Sequence, residues 1–222
     1  MSMKIPRICA VIVNNDLDVI KRVEPLVELF EVRIDLIGSG WPKVVQQLNK
    51  PWIACNRSAK EGGSWRGDER QRVAELLRAI EFGAAIIDIE HATANLAKTV
   101  SLIRRNAKCL ISYHDLKGTP PLDRMKDLVK QQLAAGADLC KVVTTAKRFE
   151  DNLAVLQLLA DSPNTRLISF AMGPRGLTSR IFCPLAGGDF TYASIEEGRE
   201  SASGQITVSN LANIYRIICY AN

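Results

Sequence analysis

Lys141 stands in Ala137-Asp138-Leu139-Cys140-Lys141-Val142-Val143, an apolar, β-branched run that reads as a buried strand. A lysine left charged and unpaired in such a run forfeits several kcal/mol of solvation. Two readings resolve that cost. In the first, the ammonium is ion-paired or snorkels to water at a strand end. In the second, desolvation lowers the lysine pKa and leaves an amine able to attack a carbonyl. His114, one of two histidines, lies one strand earlier in Ile111-Ser112-Tyr113-His114-Asp115. Imidazole is the side chain best matched to proton transfer near neutral pH. An amine able to attack a carbonyl would then stand beside a group able to move protons; the competing reading of His114 is a satisfied core histidine. His91, which follows Glu90 at a strand end, has no comparable partner and reads as structural.

Further ionisable residues interrupt other apolar runs. Glu31, Arg33 and Asp35 alternate with Val32 and Ile34, Asp88 and Glu90 alternate with Ile87 and Ile89, and Arg57 closes the run that begins at Trp52. One such strand alone reads equally well as a sheet edge with a wet face. Repeated across five segments, the pattern places the charges on the inward face of a closed barrel, because helices cover the outside. They then converge toward the C-terminal mouth of the barrel. Asp35, Asp88 and Glu90 are the first candidates for purely structural ion pairs.

The elements that must hold these residues recur along the chain. Strands are expected at Arg7 to Val13, Phe30 to Ile37, Trp52 to Arg57, Ala84 to Glu90, Lys108 to Asp115, Leu139 to Thr145, Arg166 to Met172 and Phe190 to Ile195. Amphipathic segments separate them, starting from Asp16 as an N-cap and including Pro42 to Asn49, Asp68 to Phe82, Asn95 to Asn106, Pro121 to Ala135 and Lys147 to Ala160. A short one near Leu177 to Pro184 and a last at Thr207 to Tyr220 complete the set. Eight strand–helix units predict an α/β fold, a (β/α)₈ barrel, with an open doubly wound sheet as runner-up. Asn14-Asn15-Asp16 stands where a dinucleotide-binding turn would carry G-x-G-x-x-G, which favours the barrel. No linker or composition shift divides residues 1–222, so one catalytic domain is expected.

Composition excludes other classes. Hydrophobic residues at 47% and charged residues at 24% suit a globular chain with a sizeable core. The net charge of +5 is spread without a basic run, which argues against nucleic acid and is compatible with a small anionic substrate. Six cysteines without a C-x-x-C pair predict reduced thiols in a cytoplasmic protein, with neither disulfide framework nor zinc site. No apolar run reaches membrane-spanning length and no secretory leader is evident. Ser201 to Gln205, rich in serine and glycine, is a candidate mobile lid. Gly187-Gly188 is too weak a signal for a phosphate cradle.

In their order, six blocks resemble the type I 3-dehydroquinate dehydratases, the imine-forming enzymes of the shikimate pathway. They are Glu31 to Asp35, Arg57 to Gly63, Ser112 to Asp115, Ala137 to Lys141, Met172 to Arg180, and Ser201 to Gln205. The resemblance runs through essentially the whole chain and implies a (β/α)₈ barrel. It implies that Lys141 forms an imine with the substrate ketone, that His114 moves protons, and that Glu61 orients His114. It further implies that Arg180, Ser201 and Gln205 hold the substrate carboxylate while Glu31, Arg33 and Arg57 hold its ring hydroxyls. A protonated imine is its own electron sink, so no metal or organic cofactor is required. Arg57 and Arg180 near Lys141 are expected to favour the neutral amine. The family often forms homodimers. Members often carry proline where this chain has Ser203. A class I aldolase acting on sugar phosphates, and a catalytically silent scaffold barrel, are the alternatives.

Overall fold

The structure, a computed structural model, describes residues 5–220. Eight parallel strands form one sheet: β1 (Ile8–Ile12), β2 (Leu29–Arg33), β3 (Trp52–Cys55), β4 (Ile86–Glu90), β5 (Lys108–His114), β6 (Leu139–Thr145), β7 (Leu167–Met172) and β8 (Thr191–Ser194). The helices are α1 (Leu17–Val23), α2 (Ile34–Ile37), α3 (Trp41–Val45), α4 (Glu69–Glu81), α5 (Leu96–Ile103), α6 (Leu122–Ala134), α7 (Asp151–Ala160), α8 (Leu177–Phe182) and α9 (Val208–Tyr220). Strands pair in chain order from β1 to β7, and β8 returns to pair with β1, so the expected (β/α)₈ barrel is present. Its seam lies between β7 and β8, where a backbone bond from Asp189 to the Leu167 carbonyl and the Phe170–Tyr192 ring contact at 6.1 Å stand in for a ladder.

Strand alternation sorts the side chains as the pattern requires. Ala10, Ile12, Phe30, Val32, Ala54, Ile87, Ile89 and Ile111 face the helices and are buried there with Trp41, Leu76 and Ile103. Glu31, Asp88, Ser112 and Lys141 point the other way and are also buried, with Lys141 only 4% exposed. Side chains in the barrel interior are packed in layers, so this polar set replaces part of a hydrophobic core.

Three boundaries differ from expectation for physical reasons. The helical pattern after β1, which the sequence carries through Ile20, Val23, Leu26, Val27 and Phe30, stops at Val23, because Pro25 supplies no N–H to continue the α-helical ladder and opens a 3₁₀ turn over Glu24–Leu26. The second strand ends at Arg33 instead of Ile37, and the chain turns into α2. That turn carries Asp35 off the strand face into reach of the next loop, where its carboxylate accepts from the Arg57 and Ser64 backbone N–H groups at 3.2 and 2.9 Å. α7 likewise begins at Asp151, whose side chain caps the turn by accepting from the Lys147 and Arg148 N–H groups.

Candidate active site

A cavity of about 580 Å³ opens at the C-terminal mouth of the barrel. Lys141, His114, Glu61, Glu31, Arg33, Arg57, Arg180, Ser201 and Gln205 all line it, so the structure brings together every site residue expected from the sequence. Gly187-Gly188 precedes β8 at the opposite end of the barrel, where Gly188 packs against Cys183.

Lys141 pairs in register with Ser112 of β5, and His114 lies two residues further up the same strand, nearer the mouth. The lysine is therefore one layer deeper than the histidine. Its Nζ donates to Asp88 Oδ2 at 3.0 Å and to Glu31 Oε2 at 3.4 Å, and it lies 4.1 Å from the centre of the Tyr192 ring. Burial pushes the lysine toward its neutral form, but Asp88 and then Glu31 outweigh burial and the repulsion of Arg57, raising the pKa above the ordinary value. The resting group is thus an ammonium ion, which reverses the expectation of a neutral amine. Arg57 is consumed elsewhere and cannot tip the balance. The Glu31, Cys55 and Asp88 donor atoms lie within 4.8 Å of one another, and the lysine ammonium reaches into that cluster.

Arg57 holds the floor of the site together. It donates to Asp88 Oδ2 at 2.7 Å and to Ser112 Oγ at 2.7 Å, and approaches Glu90 at 3.4 Å. Ser112 in turn donates to Asp88 Oδ1 at 2.6 Å. Burial raises the Asp88 carboxyl, yet Arg57 and Lys141 overcome it and hold the group well below the usual carboxylate range. Glu90 accepts from the Ser58 backbone and hydroxyl, both at 2.8 Å, and so anchors the loop that carries Glu61. Gly63 closes that loop so tightly on the Arg57 carbonyl that a Cβ there would overlap it. Arg33 is similarly occupied, forked onto Asp35 at 2.9 and 2.7 Å.

Glu61 Oε2 lies 2.8 Å from His114 Nδ1. With Nδ1 engaged, Nε2 is the nitrogen left for the cavity. Desolvation, then the positive charges of Arg57 and Lys141, push the imidazole well below its ordinary pKa, so His114 rests neutral. Burial lifts Glu61 to about 8 despite the opposing pull of Arg57, with Glu90 and Asp88 adding repulsion. A neutral imidazole and an ammonium lysine thus face one cavity.

Arg180 is the exception among the cations. It is 1% exposed, its Nε and Nη2 have no hydrogen-bond partner, and among the described residues it forms no ion pair. The Phe170 ring lies under the guanidinium at 4.3 Å. Desolvation alone lowers its pKa to about 10. A buried, unpaired guanidinium lining a cavity is a site for an anion.

The loop over the cavity is docked. Ser194 N donates to the Ile206 carbonyl at its base, and Gly173 N donates to the Ser203 carbonyl at 3.0 Å near its tip. Gly204, at φ 77°, lies so close to the Gly173 carbonyl that any Cβ would overlap it. Ser201 N and Oγ both donate to Gln205 Oε1, at 2.8 and 3.3 Å, leaving the Gln205 amide nitrogen available. Ser203 takes part through its carbonyl, which a proline would offer equally, so that substitution leaves the contact intact. Sequence reading missed Tyr192 and Phe170, the aromatic floor under Lys141 and Arg180; the Phe190/Tyr192 alternation leading into β8 and the Ile168/Phe170/Met172 alternation in β7 were the available signals.

Comparison with known proteins identifies the family. The family model for type I 3-dehydroquinase matches residues 8–220. A 3-dehydroquinate dehydratase from Dehalococcoides mccartyi is 43% identical over 221 residues, covering 99% of each chain. Another from Methanocaldococcus jannaschii is 31% identical over 95% of this chain and 98% of its own. Among solved structures, the type I 3-dehydroquinate dehydratase from Clostridium difficile with covalently modified comenic acid superposes with a TM-score of 0.86 at 21% identity, covering 100% of this chain and 96% of that one.

Proposed function

This chain belongs to the type I 3-dehydroquinase family, and from that membership we propose that it dehydrates 3-dehydroquinate to 3-dehydroshikimate through an imine on Lys141. The Lys141 nitrogen bonds to the ring ketone carbon and the ketone oxygen leaves as water. Ammonium plus ketone gives protonated imine plus water: of the three protons on the nitrogen two leave with the ketone oxygen and one stays, so net charge is conserved and the free amine exists only transiently as the attacking species. His114 Nε2 then takes a proton from the carbon beside the imine carbon, and the electron pair flows to nitrogen as an enamine. The pair returns to expel the ring hydroxyl, which takes the proton back from His114 and departs as water. Hydrolysis of the conjugated imine releases product and restores the ammonium. The protonated imine is the electron sink, so the scheme asks for no metal or organic cofactor.

One observation carries the choice of substrate class: the unpaired, buried Arg180 guanidinium shares the cavity with Lys141 and His114. It is the natural partner of a carboxylate, with Ser201 and Gln205 beside it on the closing loop. Glu31 is open to a ring hydroxyl, and Arg33 and Arg57, although engaged by Asp35 and Asp88, line the same cavity and complete the surface against which the ring is set over the lysine in this scheme. A sugar-phosphate aldolase would call for a richer set of free donors than one guanidinium. The test is turnover of 3-dehydroquinate, followed by the conjugated product, in the wild type and in Arg180→Leu. The variant is expected to raise KM by roughly 10²-fold, the upper end of about 1.5–3 kcal/mol for a charged hydrogen bond. Its melting temperature should hold or rise, since an uncompensated buried charge is removed. An unchanged KM would overturn the assignment.

Glu61 acts on His114 rather than on substrate in this scheme. Ionised Glu61 accepts the Nδ1 proton and leaves Nε2 free as a base, whereas protonated Glu61 donates to Nδ1 and puts the imidazole in the wrong tautomer. Because the group titrates near 8, kcat/KM should rise with pH up to that value. Glu61→Gln, which can accept from Nδ1 at every pH, is expected to lose that rising limb while keeping kcat within about tenfold of wild type. A limb retained in the variant would assign it to another group.

A homodimeric assembly, a cytoplasmic location and action as one catalytic domain belong to the same proposal. Five of the six free cysteines are buried, which suits a reducing compartment, and no described helix is long and apolar enough to cross a membrane.

A further inference from the structure

We infer, resting on the imine reading above, that Asp88 is a positioning residue for the reaction: it is the fixed counter-ion that keeps the Lys141 nitrogen protonated once it has become an imine. Asp88 has a side chain with no exposed surface, lies behind the lysine outside the cavity lining, and is 3.0 Å from Nζ. Its carboxylate is locked by Arg57 at 2.7 Å and Ser112 at 2.6 Å, so it cannot follow the substrate. Glu31, the other carboxylate on Nζ, does line the cavity and is open to a substrate hydroxyl. When substrate engages Glu31, Asp88 is the anion that remains on the nitrogen.

That placement matters because the imine has two proton positions to lose. Loss from the adjacent carbon to His114 gives the enamine and goes forward. Loss from nitrogen gives a neutral imine, which is a poor electron sink and stalls. A carboxylate fixed against the N–H favours the first route by disfavouring the second. The other groups facing the nitrogen are Cys9 on β1, Glu31 on β2, Cys55 and Arg57 from β3 and the loop after it, His114 on β5 and Tyr192 on β8. Of these, Arg57 and His114 cannot hold the proton by charge, and Glu31 is shared with substrate.

The test compares wild type, Asp88→Asn and Asp88→Glu by pH profile of kcat and by borohydride trapping of the imine at steady state. Asp88→Asn is expected to lower kcat by on the order of tenfold to a hundredfold. Its loss of kcat on the alkaline side should begin at lower pH, and its imine, trapped on the acid side of that limb where the nitrogen is protonated in both proteins and accepts hydride, should equal or exceed the wild-type fraction. Asp88→Glu should restore the profile in part. Kinetics and trapping that fall together would mark a merely structural role and overturn the inference, as would a kcat and alkaline limb matching wild type. Should Asp88→Asn fail to fold, the wild-type profile decides: kcat already falling near neutrality would show that the nitrogen is not held protonated, and kcat sustained into the alkaline range is what the inference requires. No adduct in the wild type would instead overturn the imine reading itself, an outcome distinct from a wild type that traps beside an unaltered variant.

Discussion

Lys141→Met is expected to lower kcat by on the order of 10⁴-fold or more, as removal of a covalent nucleophile does when the rest of a site survives. Methionine keeps the unbranched shape and removes the nitrogen. Without the imine, the proton beside an ordinary ketone must leave with no cationic sink for its electrons. The variant is also informative about the fold, because Nζ is the cation between Glu31 and Asp88. Breaking a buried pair typically costs about 3–5 kcal/mol. Here the loss should be smaller, since Asp88 keeps Arg57 and Ser112 and Glu31 faces the cavity. A melting temperature lower by several degrees, at roughly 2–4 °C per kcal/mol for a chain of this size, with near-complete loss of turnover, is the expected pair of results. Substantial turnover in a folded Lys141→Met protein would remove the lysine from the chemistry.

His114→Ala is expected to separate binding of the ketone from its turnover. The lysine and its carboxylates are untouched, so substrate should still be captured as an imine, while proton abstraction loses its base. General acid–base groups contribute about 10²–10⁴-fold, and kcat should fall within that range, toward its upper end because His114 serves in both proton steps. The measurement is kcat beside the fraction of enzyme trapped by reduction. Unimpaired turnover would remove His114 from its role. Loss of trapping in proportion to turnover would place it in imine formation alone.

Much of this site was legible from residue alternation. Glu31 and Arg33 in β2, Asp88 and Glu90 in β4, and Ser112 and His114 in β5 repeat every second residue. A strand's period of two then fixes their common face before any coordinates are known. Pairing was not legible in the same way. That Lys141 meets Glu31, 110 positions away, depends on barrel closure and on strand stagger. Whether the amine rests charged turns on a balance between burial and two carboxylates that spacing does not reveal. Which arginine stays free was not legible either: Arg33 is held by Asp35 and Arg57 by Asp88, which leaves Arg180 as the unpaired one of the three among the described residues. Asp35 itself left its expected strand because backbone donors in the next loop required an acceptor. The contact of Gly204 with Gly173 joins loops after β7 and β8 by close backbone approach. A glycine in sequence records that possibility without naming the partner.

The most direct test of the account is reduction with borohydride in the presence of 3-dehydroquinate, followed by mass mapping of the peptides. A single substrate-dependent adduct is expected on the peptide containing Lys141, abolished in Lys141→Met and retained in His114→Ala. Dehydration that proceeds while Lys141 remains unmodified, or an adduct confined to another lysine, would contradict it.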